Sequence, residues 1–403
     1  MQRRPGRLTW IAGPLATTVV WFLVAAPPAV AAATGEYAAW STSGASGNWT
    51  GSGSVTAAGF PSATLTSTST TLQTPTGAST FLGPGTPVGA IYGSSRNQSY
   101  LNVATAAGNA ASVTTVTFPS PTPAAGWAFA LGDVDADAVQ ISAVGTSGLP
   151  VLWTALGWQS AFNYCAATPK PGSCTGSGPF TDVPTWNPLT STLTGSGTDT
   201  LGAAGWFQPS AALTSITFTF TRQIGNPIFQ LWLAALSVPV TGQVDGIAPS
   251  SDIPEPGVQL DLLTPSGDPV PDPSGDPVTT TADDTGKFEF PAVADGDYVI
   301  EIKPPPGVEN TGKDTVPITV DVSTGGATVP PGTFAVQAAA RPTPTPSTSP
   351  PARPSTRPTP PASHPPASGP VLAATGSPIL ALVIGGGAAL VGGLALTRLA
   401  RRH

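Results

Sequence analysis

The chain has 403 residues, of which 9% are charged, with twenty-two Asp and Glu against fifteen Lys and Arg. An acidic balance without clustered cations excludes a nucleic-acid binder, which needs Lys and Arg to displace counterions from phosphates. The only histidines, His364 and His403, stand in a proline-rich stretch and beyond an apolar run. Ser-His-Asp, Cys-His and His-ligated zinc chemistries are therefore excluded by inventory, and any enzyme here would work with carboxylates alone.

Residues 1–31 read as a secretory signal peptide. Arg3, Arg4 and Arg7 precede a mostly apolar stretch from Leu8 to Ala26, and Ala29-Val30-Ala31 is a small-x-small cleavage site. The Arg3-Arg4 pair suggests twin-arginine export, but Pro5-Gly6 lacks the hydrophobic residue that follows it, so the general secretory route is favoured. An exported chain cut here and after Thr375 keeps nine basic residues against all twenty-two acidic ones.

Residues 32–236 are rich in Ser, Thr, Gly and Ala and hold six acidic and three basic residues. Their clearest segments alternate with period two, the signature of half-buried strands. Ile216, Phe218 and Phe220 alternate with Thr217, Thr219 and Thr221, while Trp127, Phe129 and Leu131 interleave with alanines. No stretch carries a convincing amphipathic helix. An all-β fold is predicted, with an N-terminal β-sandwich of jelly-roll type.

Asp133, Asp135 and Asp137 follow the predicted strand Trp127 to Leu131. One continuous strand would bury all three on the face of Trp127 and Ile141, at a cost of about several kcal/mol each. The strand must break near Gly132, or a cation must neutralise the cluster. Alternating carboxylates suit calcium, yet the EF-hand pattern fails: Ala138 stands where its glycine belongs and Val144 where its bidentate glutamate belongs. A polar turn, a calcium site and carboxylate catalysis all stay open, and no cofactor other than Ca2+ is expected.

Cys165 and Cys174 are the only cysteines, and in an exported chain a pair closing so short a loop reads as a disulfide. Around them gather Trp153, Trp158, Phe162, Tyr164, Phe180, Trp186, Trp206 and Phe207. Aromatics on long loops stack ligands such as sugar rings, and Trp153, Trp158, Trp186 and Trp206 are the candidates; core packing is the competing reading.

Residues 237–336 hold sixteen acidic and three basic residues. Gly257-Val258-Gln259-Leu260-Asp261-Leu262, then Thr279-Thr280-Thr281-Ala282-Asp283-Asp284-Thr285-Gly286-Lys287-Phe288-Glu289-Phe290, then Asp295-Gly296-Asp297-Tyr298-Val299-Ile300-Glu301-Ile302 resemble the transthyretin-like B-type (SdrD B-like) domains of Gram-positive adhesins. The resemblance implies a small β-sandwich. Asp284-Thr285-Gly286 reads independently as a turn, and Tyr298, Ile300 and Ile302 as one inward face. The lysine that some relatives use for an isopeptide bond is missing from the first strand, and Asp245, Asp252 and Glu255 are widely spaced for a calcium loop.

Residues 337–371 read as a disordered proline-rich linker: twelve of the thirty residues from Arg341 to Pro370 are proline. In polyproline II at about 3.1 Å per residue, thirty residues reach roughly 90 Å, enough to cross cell wall. Residues 372–403 have three parts: Leu372-Ala373-Ala374-Thr375-Gly376, an apolar run at 378–397, and Arg398, Arg401 and Arg402 in the tail 398–403. Twenty helical residues span about 30 Å, so the run reads as one transmembrane helix with a cytoplasmic basic end.

This arrangement resembles the sorting signal of sortase substrates, in the Leu-Ala-x-Thr-Gly variant handled by class E sortases of actinobacteria. The resemblance implies sortase attack on the Thr375 carbonyl, release of Gly376 onward, and transfer to a peptidoglycan amine. Stretches such as Gly89 to Val103 and Gly126 to Ala143 are similar to the non-repeat regions of actinobacterial wall-anchored surface proteins. The expected protein is secreted, wall-anchored at the cell surface with a transient or retained membrane anchor, and not an enzyme. Its expected partners are a class E-like sortase, peptidoglycan, and an extracellular ligand, either carbohydrate or matrix protein. The rivals are a wall-attached carboxylate-dependent glycan hydrolase and a structural coat protein.

Overall fold

The structure is a computed structural model that describes residues 32–247 and 257–340. The expected signal peptide, Asp252 and Glu255, the expected linker from residue 341 and the expected sorting signal at 372–403 lie outside the described residues. No helix among the described residues is long and apolar enough to cross a membrane. The described chain is all-β, built from antiparallel sheets with short helical turns between them.

One sheet has eight antiparallel strands, in the order Thr185–Asn187, Thr192–Thr194, Asp137–Gly145, Leu213–Arg222, Ser112–Thr117, Ala63–Ser67, Asn48–Ser54 and Ala39–Ala45. The predicted alternation is realised here: Ile216, Phe218 and Phe220 point inward, while the intervening threonines remain partly exposed. In register, Phe218 stands opposite Ile141.

A second sheet faces it, running Trp158–Asn163, Ala203–Phe207, Trp127–Gly132 and Ile228–Asp245. Every residue of Trp127–Gly132 is buried, because this sheet is covered on both faces. Trp127, Phe129 and Leu131 enter the core between the sheets with Phe207, Phe218 and Phe229. Ala128 and Ala130 face the other way, under a layer of loops holding Leu82, Tyr92, Tyr100, Tyr164 and the Cys165–Cys174 disulfide. Small residues on that face let the loops approach closely. The only α-helix of this layer is one short turn, Pro87–Tyr92, capped by Thr86, whose hydroxyl accepts the Gly89 N–H at 3.0 Å.

Ile228–Asp245 is an eighteen-residue strand serving two cores. Its first half pairs with Trp127–Gly132, and its second half with Lys287–Ala294 and, in parallel, with Phe334–Ala338. The compositional change near Val238 thus falls inside a hydrogen-bonded strand instead of a linker. A four-stranded sheet, Thr279–Thr281, Gln259–Leu263, Gly296–Lys303 and Thr315–Val320, closes the second core. There Leu260, Tyr298, Ile300 and Ile302 meet Val240, Phe288 and Phe290. The turn expected at Asp284-Thr285-Gly286 is present: Asp283 accepts the Thr285 and Lys287 N–H groups, and Gly286 holds φ +82°. Phe334–Ala338 takes in residues 337 and 338, the first two of the expected linker.

Candidate functional site

The strand Trp127–Gly132 ends where the aspartates begin. Asp133 takes the left-handed conformation, φ +59°, and the chain re-enters sheet structure at Asp137 on the opposite sheet. The break does not release the carboxylates to water. Asp133 lies half-buried beside Tyr100 and Tyr164, and Asp135 and Asp137 are buried at 3% and 0% exposure.

The loop between Thr192–Thr194 and Ala203–Phe207 covers this turn. Gly197 N–H donates to the Asp135 carbonyl at 2.8 Å, and Val134 N–H to the Ala203 carbonyl at 3.0 Å. That loop brings Asp199 and Thr200 to the cluster. Asp135 Oδ2 accepts the Thr200 N–H at 2.8 Å. The Thr200 hydroxyl lies 3.1 Å from Asp135 Oδ2 and 2.7 Å from Asp182 Oδ2, so its single proton serves one carboxylate at a time. Five of the six acidic residues of 32–236 thereby gather in one place, Glu36 being the exception. Asp182, Asp199 and Thr200 escape the sequence reading because they stand roughly fifty residues or more downstream. The available signal was scarcity, since few other acids exist in that region.

The cations of this region are engaged elsewhere. Arg222 donates to the Gly225 carbonyl, Lys170 to the Gly176 carbonyl, and Arg96 lies over the Phe81 ring. Among the described residues the ion pairs are those of Lys303 with Asp261 and Glu301, far along the chain. Burial, reinforced by repulsion from Asp135 and Asp199, raises Asp133 to about 7. Burial again, then repulsion by Asp135, Asp133 and Asp199, raises Asp137 to about 9. Asp135 is also raised by burial, against the opposing pull of its hydrogen bonds from Thr200 and Ala136. Both carboxylate oxygens of Asp137 are buried without a hydrogen-bond partner. Chemically the cluster is a set of carboxylates held without a compensating cation among the described residues. As the fold stands, Asp137 is sealed from any substrate.

The candidate ligand-binding tryptophans separate. Trp206 is 4% exposed and donates to Ser160 Oγ at 3.0 Å, so its ring belongs to the interior. Trp158 and Trp186 stack on each other with centroids 5.6 Å apart, and both pack on Phe207 at 5.0 Å. They form a half-buried lid on the first core. Only Trp153 is openly presented, at 42% exposure. It shares its surroundings with exposed Leu149 and Leu152, and Val151 N–H bonds to the Ala143 carbonyl. Ile141 N–H bonds to the Ser191 carbonyl, which places the turn bearing exposed Leu189 along the same edge of Asp137–Gly145. The Cys165–Cys174 disulfide is formed, with Cα atoms 5.5 Å apart.

Fold and site together define a non-repetitive antiparallel β protein with a buried acidic cluster and an exposed apolar edge. No protein-family model matches the chain, and no curated protein matches it. Among solved structures it is similar to BcpA, the major pilin subunit of Bacillus cereus, at 10% identity, over 60% of this chain and 65% of that one, with a TM-score of 0.21. It is similar also to GBS52, a minor pilin of Streptococcus agalactiae, at 17% identity over 34% and 72%, with a TM-score of 0.21. SpaD, a major pilin of Corynebacterium diphtheriae, matches at 10% identity over 57% and 65%, with a TM-score of 0.17. The chain spans 65% of the length of BcpA.

Proposed function

We propose that the protein is a secreted surface protein, joined to peptidoglycan through Thr375 by a class E-like sortase, that displays its first β-sandwich for binding. The observation that carries this reading is the pentapeptide Leu372–Gly376 set before an uninterrupted apolar run and terminal arginines, with a proline-rich stretch upstream. The all-β, disulfide-closed region ahead of it suits display outside the cell.

The binding surface of this reading is the edge bearing Leu149, Leu152, Trp153 and Leu189, where apolar side chains are exposed in place of the usual Lys or Glu. Carbohydrate and matrix protein are the ligand classes such a surface takes. Mass spectrometry of cell-wall digests tests the anchor: peptides ending at Thr375 linked to a wall amine are expected, and recovery only of chains continuing past Gly376 overturns it. Glycan and matrix-protein arrays probed with wild type and Trp153→Ala test the surface, and unchanged binding by the variant overturns that assignment.

A further inference from the structure

We propose that the Asp133–Asp137 turn and the Asp199–Thr200 segment form a calcium-binding site that ties the end of the first β-sandwich together. The site is independent of how the chain is anchored.

Three observations converge on it. Asp137 is fully buried, and neither of its carboxylate oxygens has a partner. Protonation alone does not satisfy it, because a neutral carboxylic acid still presents one donor and one acceptor with nothing to meet. Asp133, Asp135 and Asp199 lie close enough to repel Asp137, so its unpartnered carboxylate stands within the field of the cluster. Finally, Arg96, Lys170 and Arg222 are engaged elsewhere, and no Lys or Arg among the described residues bridges any of these carboxylates. An uncompensated buried group of carboxylates is among the costliest arrangements a fold can contain, and a divalent cation removes that cost.

The donor set selects the ion. Every available atom is oxygen, from carboxylates and the Thr200 hydroxyl, which favours a hard cation over zinc or copper. The ligands come from an irregular turn and a separate loop, an adaptable frame that suits the six to eight oxygens of calcium better than the strict octahedron of magnesium. Among the described residues, no three His, Cys, Asp or Glu side chains stand close enough together to hold a metal ion without moving. Binding therefore draws in Asp133 and Asp199, which are half-buried and exposed, against the fixed Asp137.

The test is scanning calorimetry on the full chain in detergent after EDTA treatment, with CaCl2, MgCl2 or NaCl restored at equal ionic strength. Calcium about a hundredfold above its dissociation constant is expected to raise the melting temperature by about 5 °C. Magnesium and sodium should do much less. Asp137→Asn should abolish the calcium response while leaving the metal-free protein as stable as wild type or more so. Asp199→Asn, at an exposed residue, should fold normally and need about tenfold more calcium. Terbium added to the metal-free protein should show luminescence sensitised by Tyr100 and Tyr164, and calcium should displace it. A wild-type chain without a calcium-specific shift overturns the site, as does an equal response to magnesium. So does an undiminished response in both Asp199→Asn and Asp133→Asn, the pair that decides the question if Asp137→Asn does not fold.

Discussion

Gly59 lies directly against the phenol of Tyr298: a Cβ on residue 59 would overlap the Tyr298 hydroxyl, and the backbone there holds φ +85°. The loop around Gly59 belongs to the first sandwich, and Tyr298 to the second. Alongside, Ala58 N–H donates to the Ala292 carbonyl at 2.9 Å, and Ala294 N–H to the Ala58 carbonyl at 2.8 Å. With the shared strand Ile228–Asp245, these contacts tie the two cores together. The described residues 32–247 and 257–340 accordingly form one compact unit.

Gly59→Ala combines steric overlap with a backbone conformation that L side chains rarely adopt. It is expected to destabilise the protein by roughly 1–3 kcal/mol. Tyr298→Phe removes only the hydrogen bond from the hydroxyl to the Ala294 carbonyl, at 3.1 Å, and should cost about 1 kcal/mol. Chemical denaturation should show a single transition in wild type. A separation into two in Gly59→Ala would report the loosened junction.

The Cys165–Cys174 bridge closes a loop of nine residues' separation in the layer covering Trp232 and Tyr164. Restricting the unfolded chain over so short a loop contributes about 2–3 kcal/mol. Replacing both cysteines with alanine should lower stability by about that amount, and dithiothreitol should then have no further effect. Equal denaturation midpoints for the oxidised and double-alanine proteins would contradict this.

Trp158 and Trp153 distinguish packing from presentation. Trp158→Ala removes a ring stacked on Trp186 and seated on Phe207, and should cost about 3–5 kcal/mol. Trp153→Ala, at an exposed position, should stay within about 0.5 kcal/mol of wild type. Urea denaturation of both variants checks the contrast. A large loss at Trp153 would mean that its ring is structural.

Glu36 gives a pH dependence separate from the aspartate cluster. Burial raises its carboxyl, against a weaker opposing hydrogen bond from the Thr56 backbone, and its Oε2 is buried without a partner. A carboxyl raised in the folded state contributes stability that is fully present below its unfolded pKa, about 4.3, and lost as pH rises through the folded value. Glu36→Gln should therefore flatten the fall of stability above about pH 4. At neutral pH the variant should melt no lower than wild type, and a steeper pH profile in the variant would refute the assignment.

Period-two alternation made Leu213–Arg222 and Trp127–Gly132 legible as strands, because a pleated chain puts every second side chain on one face. The same logic applied to Asp133, Asp135 and Asp137 required a break near Gly132 or a neutralising cation, and the strand does break there, with Asp133 at positive φ. Trp206 was not legible. Whether a tryptophan on a strand faces water or a covering layer depends on loops distant in sequence, here the segments bearing Leu82, Tyr92 and Tyr164.

By itself the sequence determined what local chemistry can determine: the all-β character, the short-range disulfide, the turn at Asp284-Thr285-Gly286 and the absence of imidazole from the folded region. Tertiary structure alone decided that Asp182, Asp199 and Thr200 meet the Asp133–Asp137 turn, and that Gly59 meets Tyr298. Strand order in a sheet is not sequence order. Long-range pairing brings distant loops together at one end of a sandwich, and no local pattern along the chain encodes which loops those are.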